Sequence, residues 1–217
     1  MLVARSMDPN WLSNAYVVGD EEGGTCVFVD SGAPLGPLQE FVSKHRLTPT
    51  HVLRTHSHSD HVEHEAELGL PVARQSLEAG DLWIEAIPTP GHSDDMVCFV
   101  VNDHAVFSGD TLFKDAVGGG DYEQVRRSVM EIYMAMPHDR RVLPGHTEET
   151  TIGREWEHNP FVRVWRGADP EGTEPVRVGG REATLIVWSP DYDGKGKAWV
   201  RFDDGTDAIV GGSRVER

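Results

Sequence analysis

The stretch that most constrains this chain is Thr55-His56-Ser57-His58-Ser59-Asp60-His61. It places three imidazoles and one carboxylate within the six residues from His56 to His61. Neutral imidazole is the commonest metal ligand near neutral pH, and a carboxylate suits a hard or borderline cation. His56 and His58 are two apart, so on an extended backbone their side chains leave the same side. Asp60 and His61 follow where the chain must turn. The spacing permits one cation on His56 and His58 and a second on Asp60 and His61. The competing reading is a solvated, His-rich polar loop.

The rest of the chain argues against that bland reading by repeating one pattern. A short apolar run ends and a ligand-type residue follows, at His56/His58, at His92, at Asp110 and at His146. Gly91, Gly109 and Gly145 directly precede His92, Asp110 and His146, and glycine allows tight turns and close backbone approach. Side chains on loops at strand ends can converge above a rigid sheet. The runs themselves read as strands at Ala15–Val18, Thr25–Asp30, His51–Leu53, Pro71–Ala73, Leu82–Ile87, Met96–Val101, Ala105–Phe107 and Arg141–Leu143. Glu21–Gly24 and Asn102-Asp103 read as hairpin turns. Helices are expected over Pro37–His45, Val62–Leu68, Tyr122–Met136 and Thr150–Glu157, the last ended by Asn159-Pro160. Gly118-Gly119-Gly120 has no following Lys and no strand-to-helix context, so it is not read as a phosphate-binding loop.

After Gly167 the character changes. Asp169–Pro175 reads as a linker. Ala183–Trp188, Ala198–Phe202 and Ala208–Val210 then read as short strands around Asp-Gly turns. The expected organisation is a catalytic domain over 1–167 and a small β-rich module over 176–217, compatible with an SH3- or Tudor-like barrel. Trp188, Trp199 and Phe202 are assigned to that module's core. The module is read either as an interaction or dimerisation element or as a cover for apolar surface.

Composition narrows the partners. A formal net charge of -16 argues against binding nucleic acid through its phosphates and against an anionic membrane surface. Met1–Ser6 lacks the apolar run of a signal peptide, and nowhere do 18 apolar residues follow one another, so the expected location is the cytoplasm. Cys26 and Cys98 each sit in an apolar run and outside any Cys-x-x-Cys or His-rich context, so both are read as buried hydrophobes.

Four segments resemble the metallo-β-lactamase-fold hydrolases, and within them the glyoxalase II (hydroxyacylglutathione hydrolase) branch. They are Thr55–His61, Thr89-Pro90-Gly91-His92-Ser93, Phe107-Ser108-Gly109-Asp110-Thr111-Leu112-Phe113 and Leu143-Pro144-Gly145-His146. Thr151-Ile152-Gly153-Arg154-Glu155 with Asn159-Pro160-Phe161 also looks like the close of such catalytic domains. The likeness spans about residues 10 to 166. It implies an α/β fold, the αββα sandwich of two mixed sheets. It implies that His56, His58 and His92 bind one metal, that Asp60, His61 and His146 bind a second, and that Asp110 bridges both.

Three departures stand beside the likeness. Val62-Glu63-His64 follows the Asp-His pair where many relatives have small residues. No Arg follows the first glycine of Gly118-Gly119-Gly120. The β-module replaces a long helical C-terminal extension.

The activity implied is hydrolysis of a thioester- or lactone-type acyl small molecule. A hydroxide held between two divalent cations is the nucleophile, and Asp60 orients it as well as ligating. Zinc is the first expectation, with iron or manganese as alternatives. The alternative activity is that of a mononuclear iron persulfide dioxygenase. A homodimer is compatible with the chain. Four further positions carry weaker readings: His64 as an orienting or merely exposed residue, Asp94 and Asp95 as a solvated acidic turn or, one of them, a partner of His92, and Lys114 as a contact for an acidic substrate.

Overall fold

A five-stranded sheet opens the computed structural model, which describes residues 1–217. Its strands are β1 (Leu2–Met7), β2 (Asn14–Gly19), β3 (Thr25–Val29), β4 (Thr48–Leu53) and β5 (Val72–Ala73), in that order. β1, β2 and β3 run antiparallel, whereas β3, β4 and β5 run parallel. Parallel neighbours need a crossover, and helix α1 (Gly36–Lys44) supplies it between β3 and β4. Pro37 sits in its first turn, where the missing N–H costs nothing. Successive residues of a strand face opposite sides. Cys26 and Phe28 therefore pack with Leu38 and Leu47 on the α1 side, while Val27 and Val29 enter the other core.

The second sheet has β6 (Leu77–Ala79), β7 (Leu82–Pro88), β8 (Val97–Val101), β9 (Ala105–Gly109), β10 (Arg141–Pro144) and β11 (Thr150–Thr151), in the order β11-β10-β9-β8-β7-β6. Asn102 and Asp103 turn the β8–β9 hairpin with φ of 50° and 55°. Left-handed values at both positions suit the right-handed twist of the flanking strands. One core joins the two sheets: Tyr16, Val18, Val27, Val29 and Leu53 meet Ile84, Phe99, Val101, Phe107 and Leu143. Tyr16 and Phe107 pack edge-on at 5.2 Å. This face-to-face pair of sheets within an α/β fold is the architecture expected.

By Cα packing the chain forms two compact units that interleave in sequence. The first contains Met1–Pro88, Val97–Gly109 and Leu143–Thr147. Within it, the helix expected over Val62–Leu68 is instead two single turns, α2 (Ser59–Val62) and α3 (Glu65–Leu68). The break has a cause: the His64 N–H donates to Ser31 O at 3.0 Å rather than continuing the ladder. Glu65 is drawn into a two-point pair with Arg54 at 2.6 and 2.8 Å.

The second unit contains Thr89–Met96, Asp110–Val142 and Glu148–Arg217. Its helix α4 (Tyr122–Arg127) starts under an Asp121 cap and was expected to run to Met136. It passes instead into a π-turn over Ser128–Ile132 and a 3-10 turn over Tyr133–Ala135. The wide turn puts the Ser128 hydroxyl on Pro90 O at 2.7 Å, and π-turns often mark such adjustments. Asn159-Pro160 ends α5 (Ile152–His158) as expected, but it also starts α6 (Pro160–Trp165). The Asn159 side chain accepts from the N–H groups of Phe161 and Val162, an N-cap followed by proline at the first helical position.

The tail forms an antiparallel sheet of β12 (Glu174–Val178), β13 (Arg181–Ser189), β14 (Lys197–Phe202), β15 (Asp207–Gly211) and β16 (Val215–Glu216), in the order β15-β14-β13-β12-β16. Glu174 and Pro175, read from sequence as linker, belong to β12. Val176, Val178, Leu185, Val200 and Val210 form the core of this sheet, with Phe202 packed against it. Trp199 is buried but not in this core: with Ala198 and Val200 facing inward, its ring leaves the opposite face of β14 and packs on Tyr122 and Trp165. Trp188 is not core: it is 38% exposed and lies under the Arg217 guanidinium at 4.5 Å. No helix of the chain is long and apolar enough to cross a membrane.

The inter-sheet core sets a stability test. Phe107→Ala, at a position 1% exposed, should cost about 3–5 kcal/mol in urea unfolding. Trp83→Ala, at a position 47% exposed, should change stability by about 0.5 kcal/mol or less. Equal losses would contradict this assignment of the core.

Candidate metal centre

Within the first unit, five of the expected ligands come together around a buried carboxylate. That carboxylate is Asp30, at the end of β3, with φ of 55° and only 2% exposed. It accepts from Thr55 N at 2.8 Å, from Thr55 Oγ1 at 2.8 Å and from His61 Nδ1 at 2.9 Å. These bonds decide the tautomers. The Thr55 hydroxyl proton is committed to Asp30, so its oxygen is left to accept from His56 Nδ1 at 3.0 Å. His56 and His61 thus carry their protons on Nδ1 and keep the Nε2 lone pair, as histidine ligands held by an outer hydrogen bond do.

His146 is fixed in the same way, with Nδ1 donating to Leu12 O at 3.0 Å. Its loop is held from β2. Asn14 Nδ2 donates to Pro144 O and Thr147 O, both at 2.9 Å, and Tyr16 OH donates to Pro144 O at 2.7 Å. Gly32 is required beside α2, because a Cβ there would fall 1.6 Å from Asp60 O. The result is a set of facing donor atoms. His56 Nε2 and His58 Nδ1 are 3.0 Å apart. Asp60 Oδ2 lies 3.4 Å from His146 Nε2 and 3.6 Å from His61 Nε2. Asp60, His61 and His146 offer ligand atoms within 4.8 Å of one another.

Within the second unit, His92 and Asp110 form the matching pair. His92 Nδ1 donates to Gly119 O at 2.8 Å, and Nε2 is 3.5 Å from Asp110 Oδ2. The loop after Asp110 folds back so tightly that a Cβ on Gly118 would lie 1.8 Å from Asp110 O. The Arg154-Glu155 and Asn159 motif holds this loop. Glu155, fully buried, accepts from Asp115 N, Thr150 Oγ1 and Asn159 Nδ2, while Arg154 clasps the Asp115 carboxylate at 2.8 and 2.9 Å. Asn159 Nδ2 also donates to Ala116 O.

The donor chemistry suits divalent cations. Nitrogens around a tetrahedral zinc at about 2.0–2.1 Å would be ~3.4 Å apart, and the spacings above, 3.0 to 3.6 Å, bracket that value. The donors are imidazole and carboxylate, which suit zinc, iron or manganese. The clustered ligand groups contain no cysteine: Cys26 and Cys98 are buried and form no disulfide, and burial, with the charge of Asp20 adding to it, pushes the Cys26 thiol up to about 12.

The weaker positions have partners close by. His92 Nδ1 is taken by the Gly119 carbonyl, and Asp95 accepts from Ser93 Oγ at 2.8 Å. His64 turns to Glu67 at 2.8 Å, and Lys114 pairs with Glu148 at 2.6 Å. Asp30, Asn14 and Tyr16 were not singled out from sequence. Asp30 did carry a signal, since it too stands where an apolar strand ends, before Ser31-Gly32.

Comparison with known proteins agrees with this chemistry. A family model described as the metallo-beta-lactamase superfamily matches residues 8–62. An uncharacterised protein of Mycobacterium leprae is 30% identical over 202 residues, covering 69% of this chain and 93% of the relative. A probable metallo-hydrolase of Bacillus subtilis, YqgX, is 27% identical, covering 69% and 92%. A probable hydroxyacylglutathione hydrolase of Schizosaccharomyces pombe is 26% identical, covering 61% and 62%.

Among solved structures, the BLEG-1 B3 metallo-beta-lactamase aligns with a TM-score of 0.68 at 25% identity, covering 74% of this chain and 99% of that one. ETHE1 from Myxococcus xanthus aligns at 0.67 and 25%, covering 78% and 92%. TTHA1623, solved in a di-iron-bound form, aligns at 0.61 and 28%, covering 74% and 100%.

The outer hydrogen bonds can be tested directly. Asp30→Asn replaces an acceptor-only carboxylate with an amide that cannot satisfy all three donors. Zinc affinity, measured by competition with a chromophoric chelator, should fall roughly ten- to hundred-fold. An unchanged affinity would show that Asp30 does not set the ligand tautomers.

Proposed function

Because this chain belongs to the metallo-β-lactamase superfamily, we propose that it is a dinuclear metal-dependent hydrolase of a thioester- or lactone-type acyl substrate. The observation that carries the reading is the set of imidazoles whose Nδ1 atoms are tied to Asp30, Thr55, Leu12 and Gly119. Each leaves Nε2 as a ligand atom. In this reading His56, His58 and His92 would hold one cation, Asp60, His61 and His146 would hold the other, and Asp110 would contribute to both. When bound, the cations would supply Lewis acidity and lower the pKa of a bound water toward neutrality.

The chain's own groups do the rest. Asp60, with a side chain 26% exposed, is the carboxylate that can accept a hydrogen bond from the attacking water and aim its oxygen at the acyl carbon. Buried Asp30 holds His61 in place and so preserves the geometry through turnover. An acyl substrate fits because addition of water to its carbonyl and departure of a thiolate or alkoxide need no nucleophilic side chain. The likeness to a hydroxyacylglutathione hydrolase supports a thioester. In this chain the β12–β16 sheet follows the catalytic motifs where the glyoxalase II pattern has a helical extension, so the acyl group rather than glutathione is the proposed determinant.

A second reading is iron-dependent oxidation of a persulfide. The likeness to the ETHE1 structure gives it weight.

The test uses metal-replete protein against a panel of thioesters, lactones and a phosphodiester, with oxygen uptake followed on glutathione persulfide. Thioester or lactone cleavage is expected. Asp60→Asn, with metal content restored, should lose roughly 10²–10⁴-fold in rate. No cleavage of any panel member by fully metallated protein would end the hydrolase reading, and oxygen uptake would favour the second.

A further inference from the structure

The tail strands grip the loop that carries one proposed ligand and orients another. From Asp110 the loop closes on itself through the Leu112–Val117 bridge, the Phe113 N–Ala116 O bond and the Gly118 N–Thr111 O bond. The tail touches it at four places. The Tyr192 ring meets Phe113 edge-on at 5.9 Å. The Ser189 hydroxyl, fully buried, donates to Asp115 O. Ile209 of β15 forms an antiparallel bridge with Gly120. Trp199 of β14 lies on Tyr122 with ring centroids 5.1 Å apart.

Between the second and third of these grips lies Gly119, whose carbonyl receives the His92 Nδ1 proton at 2.8 Å. A Cβ at Gly119 would already be 3.5 Å from Ile209 O.

We infer that the β12–β16 sheet is a positioning element of the metal centre. It holds residues 113–122 so that the Gly119 carbonyl keeps the His92 Nε2 turned toward Asp110. This rests on the metal-binding reading above. Outer partners of a ligating histidine govern its orientation, and their loss typically lowers metal affinity ten- to hundred-fold. Here the outer partner is a backbone carbonyl: the Arg154-Glu155-Asn159 network holds the loop at Asp115 and Ala116, whereas Gly119 and Gly120 beyond it meet the tail at Ile209, and Asp115 holds a left-handed φ of 65°. A sheet that only covered apolar surface would affect stability and leave affinity alone.

The full-length chain serves for the test, with cobalt(II) as the probe. The Ser189→Ala/Tyr192→Ala double variant removes the donor to Asp115 O and the ring against Phe113. Val176→Ala, inside the sheet's own core, is the control for general destabilisation. Cobalt titrations of the double variant should show one site weakened roughly ten- to hundred-fold. The visible absorption band of that site should change while the other site is retained. Val176→Ala should lower the melting temperature without shifting either cobalt affinity.

Wild-type affinities and spectra in the double variant, or an equal loss in Val176→Ala, would overturn the inference. Should the double variant fail to fold, Ser189→Ala alone, which deletes one hydroxyl, is read by the same criteria. If the wild-type chain takes up no cobalt, the proposed function falls first and this inference with it.

Discussion

One buried carboxylate organises the first unit. Asp30 sits 2% exposed at the end of β3, and burying a carboxylate is costly unless donors surround it. Its donors come from Thr55 and His61. Those bonds tie the end of one strand to the end of its parallel neighbour and to the turn beyond it. Removing one partner would leave a buried group unsatisfied, at a cost of several kcal/mol in comparable sites. The same bonds choose which nitrogen of His56 and His61 keeps a lone pair. A single interaction thereby connects the β3–β4 crossover to the chemistry of the proposed ligands.

The two facing sheets make that arrangement durable. Tyr16 belongs to their common core and packs on Phe107, yet its hydroxyl holds Pro144 O beside His146. Packing and ligand positioning are thus carried by one side chain. The second unit uses a different device for a similar end. There a tight loop is clasped by the Arg154-Glu155-Asn159 network from one side and by Ser189, Tyr192 and Ile209 from another. Its backbone carbonyl, rather than a carboxylate, fixes His92.

Much of this was legible in the sequence, for a physical reason. Ligand residue types are few, and their placement after apolar strands separated by glycine-marked turns is unusual. His56, His58, Asp60, His61, His92, Asp110 and His146 therefore stand out as candidates in the sequence, and the structure sets Asp60 and His61 beside His146 and His92 beside Asp110. Asp30 escaped because a lone carboxylate after a strand looks like any turn residue until its partners are known.

The π-turn after Arg127 escaped because it keeps the apolar spacing of a helix while shifting one bond partner. Asn159-Pro160 was read only as a stop, although the same pair caps and starts a helix. Trp188 was placed in a core on hydrophobicity alone, whereas its ring lies under Arg217. The missed features depend on who meets whom across the fold, which local pattern does not encode.

The central claim is that preset Nε2 lone pairs make a two-cation centre. Anomalous diffraction at the metal edge from crystals of zinc-loaded protein tests it most directly. The account predicts two peaks, with Nε2 of His56, His61, His92 and His146 as ligand atoms and Asp110 reaching both. A single peak, no peak at these residues, or ligation through the Nδ1 of His61 or His146 would contradict it.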